Sequence, residues 1–162
     1  MSNKKIIPML AILIIGLIYL VIPQLRAFHS DSIENFKFAY KGTYSNISDI
    51  TIKVNNVVLA IDLKSTDPID APTRISMIKS MESSLMKKEV FNEIDNYIKH
   101  TLNRPGLHYI HVKFVSDSSL YWYEVILSGR IPSNEKTLIH VFSRINEIDI
   151  KSGETTSTFN LN

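Results

Sequence analysis

The sequence predicts an α+β protein in which an N-terminal transmembrane helix is followed by an antiparallel, strand-rich domain of element order β-β-β-α-β-β-β. Three observations lead to this prediction. Residues 6–22 are an uninterrupted apolar run, later segments alternate apolar with polar side chains, and apolar side chains recur at steps of three and four from residue 73 to residue 103. These are the spacings of a membrane helix, of half-buried strands and of an amphipathic helix. Helices segregated from antiparallel hairpins are typical of an α+β domain with a bent sheet or partial barrel.

Composition indicates one globular domain and excludes several kinds of site. The chain has 162 residues, of which 44% are hydrophobic, enough for a packed core. It has no cysteine, so disulfides, thiolate-bound metals and thiol nucleophiles are excluded. The net charge is +2, and Lys4, Lys5 and Arg26 near the N-terminus account for the positive balance. The remainder is close to neutral, which argues against direct contact with nucleic acid.

The apolar run at residues 6–22 is interpreted as an uncleaved inner-membrane anchor. As a helix it would be about 26 Å long, close to the roughly 30 Å of a bilayer core. A cleaved signal peptide is the alternative, but residues 23–27 lack the small-residue cleavage pattern. Lys4 and Lys5 favour a cytoplasmic N-terminus. We therefore expect a cytoplasmic tail at residues 1–5, an anchor and juxtamembrane segment at 6–28, a periplasmic domain at 29–150 and a flexible tail at 151–162.

Three strands are predicted before the helical region. The first is expected where aromatic and polar side chains alternate, at Phe36, Phe38, Tyr40 and Tyr44. The next two alternate on either side of Asn55 and Asn56, which favours a two-residue hairpin. The pairs expected to face each other are Val54 and Val57, Ile52 and Leu59, and Ile50 and Ile61.

The helical region is predicted to end at residue 103, either as one helix or as two helices separated near Lys87 and Lys88. Three more strands are expected after it, the last from about residue 136 to residue 150. The apolar faces predicted for the first two are His108, Ile110, Val112 and Phe114, and then Tyr121, Tyr123, Val125 and Leu127. The second of these strands also has apolar side chains on its other face, which indicates a central strand or a partner chain.

Sequence motifs for catalysis are absent, and we expect neither enzymatic activity nor a cofactor. No G-x-S-x-G, H-E-x-x-H or glycine-rich phosphate loop occurs. His108 and His111 have a spacing seen in metal sites, but on a strand they would face opposite sides, so no metal is expected. The strongest candidate for a partner or ligand surface is the aromatic-rich strand, although such a cluster is also typical of plain core. Its candidate residues are Tyr121, Trp122, Tyr123, Glu124 and Ile126.

Histidines are the candidate pH-sensing groups, because the predicted topology places all five outside the membrane. His108 begins an apolar face and His140 lies between Ile139 and Val141, so both are expected to be partly buried. His111 is the third candidate. Burial would lower the pKa of these imidazoles and a neighbouring carboxylate would raise it, which leaves the direction of a pH response open.

The start of the chain, residues 1–20, combines a very short basic tail with an anchor, and a cysteine-free, strand-rich exported domain follows. This architecture resembles the small membrane partners of ToxR-like transcription activators, the ToxS, VtrC and PsaF/MyfF proteins. The resemblance implies a regulatory subunit that binds and stabilises the activator's periplasmic part. It also implies sensing of acid pH or a small amphipathic ligand, control of virulence or fimbrial genes, and a lipocalin-like barrel completed by both chains. The competing interpretation is a periplasmic immunity or inhibitor protein that binds a secreted toxin.

Overall fold

One six-stranded sheet organises the domain, and its strands are neighbours in the same order as along the chain. The computed structural model describes residues 30–115, 121–130 and 138–161. The predicted anchor at residues 6–22 and the predicted turn at residues 116–119 lie outside these ranges. Within them, no helix is both long and apolar enough to cross a membrane.

Along the chain, the described elements are one helix, two strands, two helices and then four strands. The helices are α1 (Asp31–Thr43), α2 (Ala71–Leu85) and α3 (Lys88–Asn96), and α3 continues as a π-helical turn over Tyr97–Thr101. The strands are β1 (Ile47–Asn55), β2 (Val58–Ser65), β3 (Tyr109–Val115), β4 (Tyr121–Arg130), β5 (Ile139–Asp149) and β6 (Thr155–Asn160).

Strand pairing confirms an α+β fold with a mostly antiparallel sheet. Four of the five pairings are antiparallel, and only β2 and β3 run parallel. The parallel pair arises because α2 and α3 connect these two strands and carry the chain from the end of β2 back to the end of the sheet at which β2 began. β1 and β6 lie at opposite ends of the strand order, so the sheet is open in the described part of the chain.

The first predicted strand is wrong, because residues 31–43 form α1 instead. The Ser30 hydroxyl caps this helix by accepting a hydrogen bond from the Ile33 N–H at 3.1 Å. Ile33, Phe36 and Tyr40 follow at helical steps of three and four and are all buried. Phe38, which strand alternation would place on their face, is 84% exposed.

The β1–β2 hairpin is confirmed, but its predicted register is off by two residues. Val54 faces Leu59, Ile52 faces Ile61, and the closing pair is Asn55 with Val58. Asn56 has a φ of 56°, so the residue that adopts the left-handed conformation is the second asparagine. Because the shift is an even number of residues, the predicted buried face is unchanged.

The helical region contains two helices rather than one. The Asp70 side chain caps α2 by accepting a hydrogen bond from the Thr73 N–H at 2.8 Å. The break falls at Met86 and Lys87, close to the position predicted from the interrupted apolar pattern. Apolar side chains of all three helices pack on one face of the sheet and form a single core.

The later strands mostly follow the prediction, with two corrections. Ile110, Val112 and Phe114 share the buried face of β3, whereas His108 precedes the strand and is exposed, not partly buried as expected. The tail predicted to be flexible after residue 150 instead forms β6, which pairs with β5. Its Thr and Ser side chains give no apolar alternation, which is why the sequence pattern did not indicate a strand.

Candidate functional site

The candidate surface on β4 is divided between the two faces of the sheet. Tyr123 is fully buried in the core, and Tyr121, two residues away, is half-buried. Trp122, Glu124 and Ile126 alternate with them and are half-buried on the opposite face. The helices of the described residues pack on the other side of the sheet, so we call this side the helix-free face. Three of the five predicted surface residues therefore lie together on this face.

A row of polar side chains crosses the helix-free face. The row consists of His111 on β3, Glu124 on β4, Asn146 on β5 and Thr158 on β6, each directly opposite the next. The Asn146 side-chain amide donates to Glu124 Oε1 at 3.3 Å, and the Thr158 hydroxyl donates to Asn146 Oδ1 at 3.1 Å. These hydrogen bonds link β4, β5 and β6 through side chains as well as through the backbone ladder.

Hydrogen bonding is incomplete at the His111 end of this row. His111 Nε2 lies 3.5 Å from Glu124 Oε2, beyond a well-formed hydrogen bond, and it is buried without a hydrogen-bond partner among the described atoms. The His111 ring also contacts the Trp122 ring, with 4.5 Å between centroids. Burial lowers the pKa of His111, and the Glu124 carboxylate opposes this in part.

Apolar side chains flank the polar row at the β4–β5 pair. Trp122 lies directly opposite Ile148, and Ile148 is only 7% exposed although it is not part of the helix-packed core. Ile126 is half-buried on the same face. The helix-free face therefore presents the half-buried Trp122 and Ile126 next to a polar row, the mixture typical of protein-binding surfaces.

Tyr123 has a structural role that the sequence did not indicate. Its hydroxyl donates to Glu147 Oε2 at 2.8 Å and accepts from Arg74 Nη1 at 3.2 Å, which ties β4 to β5 and to α2. Burial and the Glu147 carboxylate raise the pKa of Tyr123 to about 12. A core residue with these partners does not contribute to a docking surface.

The other two candidate histidines lie away from the polar row. His140 is half-buried as expected, and its ring stacks on Phe91 with centroids 4.0 Å apart and planes 15° apart. Burial lowers the pKa of His140, partly opposed by Asp95. His108 is exposed, so the structure does not bring the three candidate histidines together. Among the described residues, no group of three His, Asp or Glu side chains could hold a metal ion.

The outer edge of β6 is the last part of the candidate site, and the sequence pattern did not indicate it. β6 has the sequence TTSTFN, without charge or proline. The Leu161 N–H donates to the Ser143 carbonyl at 3.0 Å, and pairing continues regularly back to Ser157 opposite Glu147. Because bonded pairs alternate in an antiparallel ladder, the backbone groups of Thr158 and Asn160 face the open edge.

Comparison with known proteins adds no family: no protein-family model, curated protein or solved structure matches this chain.

Proposed function

We propose that this chain is a membrane-anchored periplasmic subunit that binds the exported domain of a membrane-bound, ToxR-like transcription activator. In this role it stabilises the activator and helps it to sense acid pH or a small amphipathic ligand, which controls virulence or fimbrial genes. The observation that carries the proposal is the uncharged outer edge of β6, beside a helix-free face with apolar residues. The choice of partner is supported by the resemblance in architecture.

The two edges of the sheet differ in a way that supports strand addition at β6. Natural edge strands are protected from pairing by charges, bulges or prolines. β1 carries Asp49 and Lys53, and its register shifts between Ile47 and Asp49. β6 has an irregularity only at its start, and the outward backbone groups of Thr158 and Asn160 have no partner strand among the described residues. A partner strand would find a regular and uncharged template there.

Strand addition at β6 would also explain why the helix-free face carries apolar side chains. A partner strand beside β6 would extend the sheet, and further strands of the partner could curve over Trp122, Ile126 and Ile148. The open sheet would then become part of a barrel shared by two chains, in which every strand edge is paired. The polar row, from half-buried His111 to exposed Thr158, would lie inside this shared structure.

A single proline substitution in β6 tests whether a partner strand pairs with its outer edge. Thr158→Pro removes an outward N–H without breaking a ladder bond to β5, since proline is tolerated where the N–H of an edge strand faces solvent. Thr158→Ala is the matched control, because it loses the same hydroxyl contact with Asn146 but keeps the N–H. We expect Thr158→Pro to abolish co-purification of the activator from native membranes, whereas Thr158→Ala retains it. Equal recovery with both variants would refute pairing along this edge.

Membrane topology is tested with reporters fused after Asn162. A reporter active only in the periplasm should be active and one active only in the cytoplasm should be silent, because Lys4 and Lys5 precede the apolar run. Intact-mass analysis of the membrane-extracted chain should include residues 1–29. A mature chain beginning near Ala27 would show a cleaved signal peptide and contradict the anchor.

A further inference from the structure

A cleft of about 440 Å³ lies between α3 and the start of β5, away from the polar row. Its volume is in the range of small-molecule sites. The side chains around it are Met86, Lys88, Phe91, Asn92, Asp95, Lys99, Leu138, Ile139 and His140. We call it the His140 cleft.

The apolar part of the His140 cleft is unusually open to solvent. Leu138 is 53% exposed and Ile139 is 37% exposed, and they are two of the five large hydrophobic side chains exposed to this degree in the described residues. Phe91 and His140 add two nearly parallel rings, 4.0 Å apart between centroids. Because the Phe91 ring is only 7% exposed and stacks on one face of His140, the imidazole is the ring offered to a ligand, and together with the exposed aliphatic side chains it favours a ring-containing ligand.

The charged part of the cleft favours an anion. The one carboxylate, on Asp95, is already occupied: Oδ2 lies 2.6 Å from Lys99 Nζ, and Oδ1 accepts a hydrogen bond from the Leu107 N–H at 2.9 Å. Lys88 also lines the cleft and has no ion pair with any described residue. An ammonium group beside apolar walls provides a charge-assisted partner for a carboxylate.

We infer that the His140 cleft binds a small aromatic anion, with its ring against the His140 imidazole and its acidic group beside Lys88. Assigning this anion as the signal that the subunit senses rests on the proposed function. Binding itself requires no partner chain. Thr158 does not line the cleft, so the ligand experiment and the edge experiment can fail independently.

The probe is 6-fluoro-2-naphthoate, observed by ¹⁹F NMR with the full chain in lipid nanodiscs and with empty nanodiscs as the blank. An anion of this size in such a cleft should bind with a dissociation constant on the order of 0.1 mM. The matching neutral probe, 6-fluoro-2-naphthamide, should bind about tenfold more weakly because it lacks the charge that Lys88 would pair with.

Two neighbouring lysines provide the variants. Lys88→Gln should weaken naphthoate binding about tenfold and remove the preference for naphthoate over the amide. Lys87→Gln deletes the same charge one residue earlier, outside the cleft lining, and should leave affinity within twofold of the wild type. Leu138→Ser should weaken both probes alike, because it removes apolar surface rather than charge.

Three outcomes would overturn the inference. They are the absence of saturable binding by the wild type above the empty-nanodisc blank, equal affinity for the acid and the amide, and equal effects of the two lysine substitutions. The first would leave the cleft without a small-molecule ligand of this class, and the other two would show that Lys88 does not recognise the acidic group.

Discussion

Replacing Gly106 with alanine should be among the most destabilising single-methyl changes in the domain. Gly106 lies between the π-helical end of α3 and β3, with a φ of 125°. A Cβ atom at this position would overlap Asp95 Oδ1 and lie 3.0 Å from Lys99 Cε. Asp95 cannot move away freely, because it accepts the Leu107 N–H and pairs with Lys99.

The expected loss of stability follows from two separable effects. An L-residue held at this φ is strained by about 1–3 kcal/mol. Displacing Asp95 also loses a charge-assisted hydrogen bond to the Leu107 N–H, which contributes about 1.5–3 kcal/mol. Gly106→Ala should therefore lower the free energy of unfolding by about 2.5–6 kcal/mol, a large part of the roughly 5–15 kcal/mol of a typical domain.

Urea titration of the full chain in lipid nanodiscs measures this change. Trp122 is the chain's only tryptophan and lies in the central sheet, so its fluorescence reports unfolding of the α+β domain. Gly153→Ala is the first control, because Gly153 has a φ of 72° and no atom lies within 4 Å of the added Cβ. It should lower the free energy of unfolding by about 1–2 kcal/mol through backbone strain alone. Gly42→Ala, in α1 and equally unobstructed, should stabilise by about 0.5–1 kcal/mol. If Gly106→Ala lowers the free energy of unfolding no more than Gly153→Ala does, overlap with Asp95 does not contribute to the loss of stability.

Two further predictions use the same titration. The folded-state pKa values of His111 and His140 lie below their ordinary 6.5, so the stability that they contribute is complete above about pH 6.5 and is lost as pH falls below it. His111→Gln and His140→Gln should each flatten this acid dependence, and profiles identical to that of the wild type would exclude these imidazoles. Tyr123→Phe should lower the unfolding free energy by about 1–2 kcal/mol through loss of its hydrogen bonds to Glu147 and Arg74, and an unchanged urea midpoint would contradict that estimate.

Sequence periodicity predicted the strands in which apolar and polar side chains alternate. It failed at residues 31–43, where the same apolar spacing fits both a helix and a strand. Phe36 and Tyr40 are four residues apart, a separation that fits one helix face and one strand face equally well. The signals that favour a helix are the Ser30 cap and Ile33, and neither belongs to the aromatic pattern. The N-terminal cap therefore identifies residues 31–43 as a helix, whereas the spacing of the aromatic side chains fits a helix and a strand equally well.

The candidate site was predictable only in part, for a similar reason. Trp122, Glu124 and Ile126 follow from alternation once Tyr123 is assigned to the core, but sequence alone does not say which face the helices cover. Asn146 and Thr158 join the polar row through pairing between strands, and this register is a property of the folded sheet. The open edge of β6 likewise depends on strand order rather than on sequence pattern.

Site-specific photocrosslinking in native cells tests the proposed partnership most directly. A benzophenone amino acid would replace Asn160, whose backbone faces the open edge, and in a second strain Lys79, which is exposed on α2. The account predicts one discrete adduct from position 160, identified by mass spectrometry as the exported domain of a membrane protein with a cytoplasmic DNA-binding domain, and none from position 79. A secreted toxin at position 160, equal adducts from both positions, or no adduct at all would contradict it.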